Sequence, residues 1–563
     1  MSGQLPYFWH FINDSAWLHE SDSPGHKHAT PEQFVGYYLQ GMIPLSFQIE
    51  DSNLIEIRER YVSYILGHQD TETGWLGPPL LPKSDPREFW GKYDAVQALE
   101  YYAEGNATAF PTVAAALMRH HYAMYQALTS DQPKFNESRW GVDRYSDGIV
   151  GIQWLFDHGQ GNTSETMWLW DLQQMLKEKA DALMASVDHS WEQWFASDPG
   201  FKTGSTSPFR TPSSEDPTGW IHLLRHGVDI GQAMKTGPLW WRVNGTLSDW
   251  TNTQAAVEWA DAYLPRADGM YWADEEVEGL TSPSRGTETC SIVEMMFSMR
   301  TVYEITGNIT FMDRLERVAF NALPAALWPD VTTNVYHHAN NQIDAGGPAY
   351  AYDLYFCCSA NVHQGWPKWL LSAVHMRGGT IVISGYAPTE STLPDGTVVT
   401  IDGTYPFSDN ATIQVSQPAE MQFRVPCFAE SAKISVAAGG QLTSSVAPSC
   451  TFFNVTTTSP STVTIHLDFK IRLREWKKSS LDGQSLVQNG GIEVHRGPIL
   501  YALRPESTVN SSKAVADATQ PYPESLPNGG KGWPIAHHHD VTIASNASWN
   551  YGLIPDSFVF EEA

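Results

Sequence analysis

From about Pro31 to Ala373 apolar residues recur at i, i+3, i+4 and i+7 and are interrupted by Gly, Pro, Asn and Asp, the pattern of amphipathic helices separated by turns. It predicts helices over Glu32–Ile49, Leu54–Leu66, Tyr93–Ala103, Pro111–Leu128, Thr166–Phe195, His222–Lys235, Thr251–Tyr263, Thr289–Thr306, Met312–Leu323 and His363–Met376. Helices in such succession suit antiparallel hairpins that close into an α/α toroid, with a bundle as the other arrangement. No repeat of fixed length is legible, which disfavours a solenoid. At Arg377-Gly378-Gly379 the helical period gives way to strict alternation. Short alternating runs follow at Thr380–Ser384, Thr397–Ile401, Ala411–Val415, Met421–Val425, Ala432–Val436 and Thr462–Leu467, with a further pair at Gly491–Val494 and Pro498–Tyr501. Their spacing predicts a β-sandwich. A Pro-, Ser-, Asn- and Gly-rich stretch from Arg504 to Trp533 reads as a long surface loop. The expected fold class is multidomain α+β, with a helical toroid over 1–376, a β-sandwich over 377–503 and a loop-rich tail over 504–563.

Length supports several domains, since 563 residues exceed one ordinary core at about 150 residues per domain. Lys and Arg number 35 against 63 Asp and Glu, a formal net charge of −28, and a field of that sign repels phosphate backbones and anionic membrane surfaces. No apolar run approaches the ~18 residues of a membrane helix. Neither nucleic acid nor a membrane is an expected partner. Twenty-two Trp, 23 Tyr and 23 Phe supply flat faces that either stack on sugar rings or fill a core. Asn-x-Ser/Thr acceptors stand at Asn13, Asn106, Asn136, Asn162, Asn244, Asn308, Asn410, Asn454, Asn510 and Asn546. Together they favour a secretory history and an extracellular location, although no signal peptide precedes Ser2-Gly3-Gln4-Leu5; the expectation is that it was trimmed or lost.

The five cysteines, at 290, 357, 358, 427 and 450, are too few and too uneven for a disulfide-built scaffold. Cys357-Cys358 stand just ahead of the predicted His363–Met376 helix, where the positive helix end favours thiolate. Adjacent cysteines are equally two small buried apolar side chains. Glu288-Thr289-Cys290 opens another helix, and with Cys357 and Cys358 it makes one oxygen and three sulfur donors, the number and softness for tetrahedral zinc. The spacing is not that of a zinc finger, and three core cysteines with a glutamate at a helix start is the plainer reading. The loop Tyr271 to Gly279 sets Asp274, Glu275, Glu276 and Glu278 beside Tyr271 and Trp272. Carboxylates beside aromatics are how a general acid is usually built, whereas a solvated acidic loop is the commoner arrangement. His226, His337-His338, Asn340-Asn341-Gln342 and His363 are polar groups able to hold a substrate. His537-His538-His539-Asp540 reads as an exposed, unliganded segment. Cys427 and Cys450 are either a disulfide or separate thiols. No GxSxG, Gly-rich phosphate loop or HExxH is present.

Gly286-Thr287-Glu288-Thr289-Cys290, Val293-Glu294-Met295-Met296-Phe297, Leu315 to Pro324, Cys357-Cys358-Ser359-Ala360-Asn361 and Glu493-Val494-His495-Arg496-Gly497-Pro498 resemble glycoside hydrolase family 127, the β-L-arabinofuranosidase family. The likeness runs from about Gly74 onward. It implies an (α/α)6 toroid catalytic domain followed by β-sandwich material, with part of a second β module in the tail. It also implies a retaining mechanism in which Cys357 is the nucleophile, Glu288, Cys290, Cys357 and Cys358 hold Zn2+, and Glu275 is the acid/base, with Glu276 and Glu278 as stand-ins. Zinc keeps such a thiol deprotonated at neutral pH. His226, His337 and Trp272 then fall to substrate binding. Where the family carries Gly-His, this chain has Gly91-Lys92 and Gly151-Ile152; an ammonium at Lys92 would favour a sugar bearing a carboxylate. Relative to the family the chain starts late and finishes early, so N-terminal strands and part of the last β module are expected to be missing.

The leading expectation is an exo-acting glycosidase on a terminal L-arabinofuranoside or related, possibly acidic, sugar of an oligo- or polysaccharide. Two others compete with it: a lyase on uronic acids built on the same toroid, and a non-catalytic carbohydrate-binding protein whose zinc is structural.

Overall fold

A computed structural model describes Trp17 and residues 32–78, 88–130, 141, 143–161, 163–185, 226–277, 285–327, 334–339, 356–476, 480–481, 484–485 and 491–501. Glu278, Asn340-Asn341-Gln342, the loop from Arg504 and His537-His538-His539-Asp540 lie outside the described residues.

The helical part runs α1 (Glu32–Ile49), α2 (Ser52–Gly67), α3 (Glu88–Gly105), α4 (Phe110–Ser130), α5 (Tyr145–Asp157), α6 (Trp168–Ala185), α7 (Gly227–Ala233), α8 (Thr236–Asn244) and α9 (Leu247–Tyr263). It continues through a hairpin of β1 (Gly286–Glu288) and β2 (His337–Ala339) that flanks α10 (Thr289–Thr306) and α11 (Ile309–Phe320), then α12 (Phe356–Asn361) and α13 (Gly365–Leu371). Local chemistry marks the joints. Asp51 caps α2 by accepting from the Asn53 and Leu54 amides at 3.0 and 3.1 Å, and Gly307 ends α10 at φ +68°, where Asn308 at once caps α11 through the Thr310 amide. Helix α10 is buried on nearly every side, so it is the central helix rather than an amphipathic surface one.

Two expectations about helices are corrected. The segment His363–Met376 is not one helix: a 3-10 turn over Val362–Gln364 leads into α13, and Val374–Arg377 is already strand β3. Its apolar run Trp369-Leu370-Leu371 stays in α13, whereas Val374 to Arg377, which periodicity joins to it, pair with the next strand. The thiols of Cys357 and Cys358 lie inside the first turn of α12, not ahead of a helix. Helix α5 was not expected; its Gly148 and Gly151 blur the apolar stripe.

The C-terminal strands are β4 (Thr380–Ile383), β5 (Thr389–Thr392), β6 (Val398–Gly403), β7 (Asn410–Val415), β8 (Glu420–Val425), β9 (Ser431–Ala438), β10 (Gln441–Pro448), β11 (Thr451–Thr456), β12 (Ser461–Leu467), β13 (Ile471–Trp476), β14 (Ser480–Leu481), β15 (Gln484–Ser485), β16 (Gly491–Arg496) and β17 (Ile499–Leu500). They form a six-stranded sheet ordered β10-β9-β12-β7-β6-β5, a four-stranded sheet ordered β11-β8-β4-β3 and a three-stranded sheet ordered β13-β16-β17. Strand β12 alternates buried and exposed positions along its whole length, as a half-buried strand must. Cys427 and Cys450 form a disulfide.

Helices and sheets are joined by one buried ion cluster. Arg424 of β8 donates to Asp313 at 2.6 Å and to Glu316, both on α11, and Asp313 also accepts the Cys427 amide at 2.8 Å. Removing one partner from a buried pair strands the others in low dielectric. Arg424→Met is expected to cost ~3–5 kcal/mol of stability, read as a fall in the urea midpoint; an unchanged midpoint refutes the role.

Where the helices converge, charge is buried too. Lys235 pairs with Asp147 at 2.6 Å, Gln232 donates to Asp147 and Glu294, and Lys368 of α13 lies over the Phe297 ring. Burial pushes the Lys368 ammonium down to about 8 from the usual 10.5. Between those values the unfolded chain holds a proton that the folded chain has released, so this group makes stability rise as pH rises through that window. Comparison of urea unfolding of wild type and Lys368→Met from pH 8 to 10 should show that rise, on the order of 3 kcal/mol at most, in the wild type alone. Parallel curves would exclude it.

Candidate active site

Four segments meet at one place. The β1–β2 hairpin pairs Glu288 with His337, and the Thr289 amide donates to the Tyr336 carbonyl at 2.8 Å. The loop after Tyr271 bridges β1 through Asp274 and Thr287, and bridges the chain before α7 through His226 and Glu276. Asp274 occupies the left-handed region at φ +50°; its carboxylate accepts from the Gly286 amide at 2.7 Å and pairs with Arg285 at 2.6 Å. Helix α12 brings its two thiols, and Asn361 at its end donates to Glu294 of α10 at 3.0 Å. Gly286 is required by close approach, since a Cβ there would lie 2.1 Å from the His337 ring.

This assembly places the Glu288 carboxylate and the sulfurs of Cys290, Cys357 and Cys358 within 4.8 Å of one another. Cys290 Sγ is 3.3 Å from Cys358 Sγ, and Cys358 Sγ is 3.3 Å from Glu288 Oε1. Glu288, Cys290 and Cys358 are buried, and only Cys357 is partly open. Hydrogen bonds from the Cys290 and Cys358 thiols hold the Cys357 thiol well below its ordinary value, whereas burial pushes those of Cys290 and Cys358 well above.

A second group shares Glu288. His226 Nε2 is 3.3 Å from Glu288 Oε2 and 3.6 Å from Glu275 Oε1, and its Nδ1 is 3.4 Å from Asp229 Oδ2. The Glu275 side chain is 49% exposed, and Tyr336 donates to its carboxylate at 2.7 Å. Burial pushes the Glu275 carboxyl up, but the bonds from His226 and Tyr336 outweigh it and hold it below the usual range. Glu288 is pushed up by burial in spite of His226. Burial opposes charge on His226, but Asp229 and the two glutamates outweigh it and raise the imidazole well above its ordinary value.

The other candidates fall differently. Glu276 takes part in the bridge to His226 through its backbone. His337 lies 3.5 Å from Asp274 beside β1. Trp272 is fully buried with Arg285 4.1 Å over its ring, so it has no face to offer a sugar and belongs to the core; its role as a sugar platform is corrected. Lys92 is also fully buried, donating to the Leu76 and Pro78 carbonyls at 3.0 and 2.6 Å and lying over Trp17 and Trp75. Its charge is used inside the fold, which removes the reason to expect an acidic sugar. His363 is buried with its Nε2 3.0 Å from the Tyr38 carbonyl, and among the described residues no helix is long and apolar enough to cross a membrane. Sequence reasoning missed Tyr336 and Asp229. The second was signalled by its place three residues after His226, one helical turn on.

Residues 274–370, which contain Glu275, Glu288, Tyr336 and all three free thiols, match the family model for the β-L-arabinofuranosidase GH127 catalytic domain. This segment is similar to the GH127 catalytic domain. That model describes a glycoside hydrolase catalytic domain. Similar solved structures include a glycoside hydrolase at 13% identity and TM-score 0.62, with 89% of this chain and 80% of that one covered. A GH127 β-L-arabinofuranosidase from Geobacillus stearothermophilus T6 aligns at 13% identity and TM-score 0.59, covering 89% and 83%. A GH127 β-arabinofuranosidase aligns at 12% and 0.51, covering 90% and 80%. At such identities the likeness speaks for the fold. No curated protein matches the chain.

In metal-free protein, iodoacetamide should modify Cys357 at least ~10-fold faster than Cys290 or Cys358, because thiolate and access coincide there. Peptide mass spectrometry over time checks this, and equal rates would refute it.

Proposed function

We propose that the chain is a retaining, exo-acting glycosidase that removes a terminal β-L-arabinofuranosyl residue from an oligo- or polysaccharide, using Cys357 as nucleophile and Glu275 as acid/base. The observation that carries this reading is geometric: the partly open Cys357 groups with Glu288, Cys290 and Cys358, and the half-exposed Glu275 groups with His226 and the same Glu288. The helices are read as an (α/α)6 toroid and the two larger sheets as a β-sandwich beside it.

The donor set fits a bound metal. One oxygen and three sulfurs within 4.8 Å of each other suit a tetrahedral ion with bonds of about 2.0–2.3 Å. Soft thiolates favour Zn2+, held by Glu288, Cys290, Cys357 and Cys358. When bound, zinc lowers the thiol pKa and fixes its aim.

In the first step Cys357 Sγ gives its electron pair to the anomeric carbon, the bond from that carbon to the leaving oxygen breaks, and Glu275 donates a proton to that oxygen. The Glu275 carboxylate is ionised in the free site; a sugar seated against it excludes water and raises its affinity for the proton it must give. In the second step Glu275 takes a proton from water, water oxygen attacks the same carbon, and sulfur leaves with the pair. Tyr336 and His226 hold the Glu275 carboxylate throughout. Asn244, Asn410 and Asn454 are exposed, as N-glycosylation of a secreted protein requires.

Wild type should bind one zinc per chain and hydrolyse an aryl β-L-arabinofuranoside, while Cys357→Ser should lose at least ~10³-fold in kcat. A Cys357→Ser protein of undiminished rate, or a product carrying a ring double bond that absorbs in the ultraviolet, would overturn the reading.

A further inference from the structure

We propose that Asp229, backed by Arg144, is a positioning residue that aims the His226 ring between Glu275 and Glu288. This role rests on the glutamate assignments under Proposed function and extends them outward by two residues.

The imidazole has two ends and both are occupied by carboxylate. Nε2 faces Glu275 Oε1 and Glu288 Oε2 at 3.6 and 3.3 Å, and Nδ1 faces Asp229 Oδ2 at 3.4 Å. Left to itself, the terminal torsion of a histidine is broad and roughly two-fold, so a ring that must meet two glutamates at once needs its far end held. Asp229 stands one helical turn after His226 on α7, on the same side of the helix. Its own carboxylate is fixed in turn: Oδ1 accepts from Arg144 Nε at 2.8 Å and lies 2.7 Å from Arg144 Nη2. Arg144 is held by its Nη1 bond to the Tyr37 hydroxyl at 3.1 Å and by the Trp90 ring 3.6 Å below it. Tyr37, Trp90, Arg144 and Asp229 come from α1, α3, the start of α5 and α7, and the Asp229 and Arg144 side chains are only 0% and 2% exposed. With Oδ1 held by two nitrogens of an arginine that is itself fixed by Tyr37 and Trp90, the carboxylate has little freedom to rotate, so its second oxygen favours one orientation for the ring.

A purely structural ion pair would look the same in a contact list but behave differently in a double-mutant cycle. Asp229→Asn keeps the shape of the side chain; it and His226→Ala would be made singly and together. Zinc affinity would be read by chelator competition, and kcat and KM on an aryl β-L-arabinofuranoside. Asp229→Asn is expected to weaken zinc roughly 10-fold, as loss of a supporting group does, and to lower kcat about 100-fold with KM within about 3-fold. Both effects should shrink below about 3-fold in the His226→Ala background. Equal effects in the two backgrounds overturn the proposal, because Asp229 would then act without the ring. If Asp229→Asn does not fold, Arg144→Lys, which keeps the charge but loses the fork, should shift zinc affinity in the same direction, and no shift counts against the role. A wild type without arabinofuranosidase activity would tell against the glycosidase reading alone, since the zinc cycle still decides the positioning.

Discussion

A charge removed from water must be answered by another charge or by hydrogen bonds, and that constraint organises this molecule. Asp94, Arg144, Asp147, Asp229, Lys235, Glu288, Glu294, Glu316, Lys368 and Arg424 are all buried. An isolated ion at any of these depths would cost several kcal/mol. The apolar core is therefore interrupted by mutually dependent charged pairs. The functional cluster sits at the rim of this charged interior, where Glu288 and His226 are still covered but Glu275 and Cys357 meet solvent.

That gradient of exposure separates the tasks within the cluster. Buried groups hold position, and burial favours their neutral forms: it pushes the Cys290 and Cys358 thiols up, and Glu288 with them. The open groups are the ones whose protons can be exchanged with a substrate. His226 connects the two sets, since the same ring nitrogen approaches one glutamate from each. Rigid backbone supplies the frame, because the β1–β2 hairpin, the Tyr271 loop and α12 are hydrogen-bonded to one another or to α10.

Much of this was legible in the residues. Glu32–Ile49 and Thr289–Thr306 are helices with the bounds that periodicity gives, and strands β4, β7, β8 and β12 appear where alternation starts. The E-T-C and C-C signatures do come together in space. The rest was hidden for physical reasons. The run Val374 to Arg377 continues the helical pattern of α13 in sequence, and only pairing with a neighbouring strand makes it β. Trp272 and Lys92 have the chemistry of sugar contacts, and only tertiary burial shows that one is core and the other is satisfied by backbone carbonyls. Tyr336 reaches Glu275 across 61 positions of sequence, a distance that no spacing rule spans.

The Arg424 joint has a bearing on how the enzyme could be cut down. Asp313 and Glu316 lie on α11, beside the central helix, but the cation that neutralises them arrives from β8. A gene shortened to the helices alone would leave both carboxylates facing a vacated seam, so the strands behave as the missing counter-ion of the catalytic half and not as an accessory appended to it.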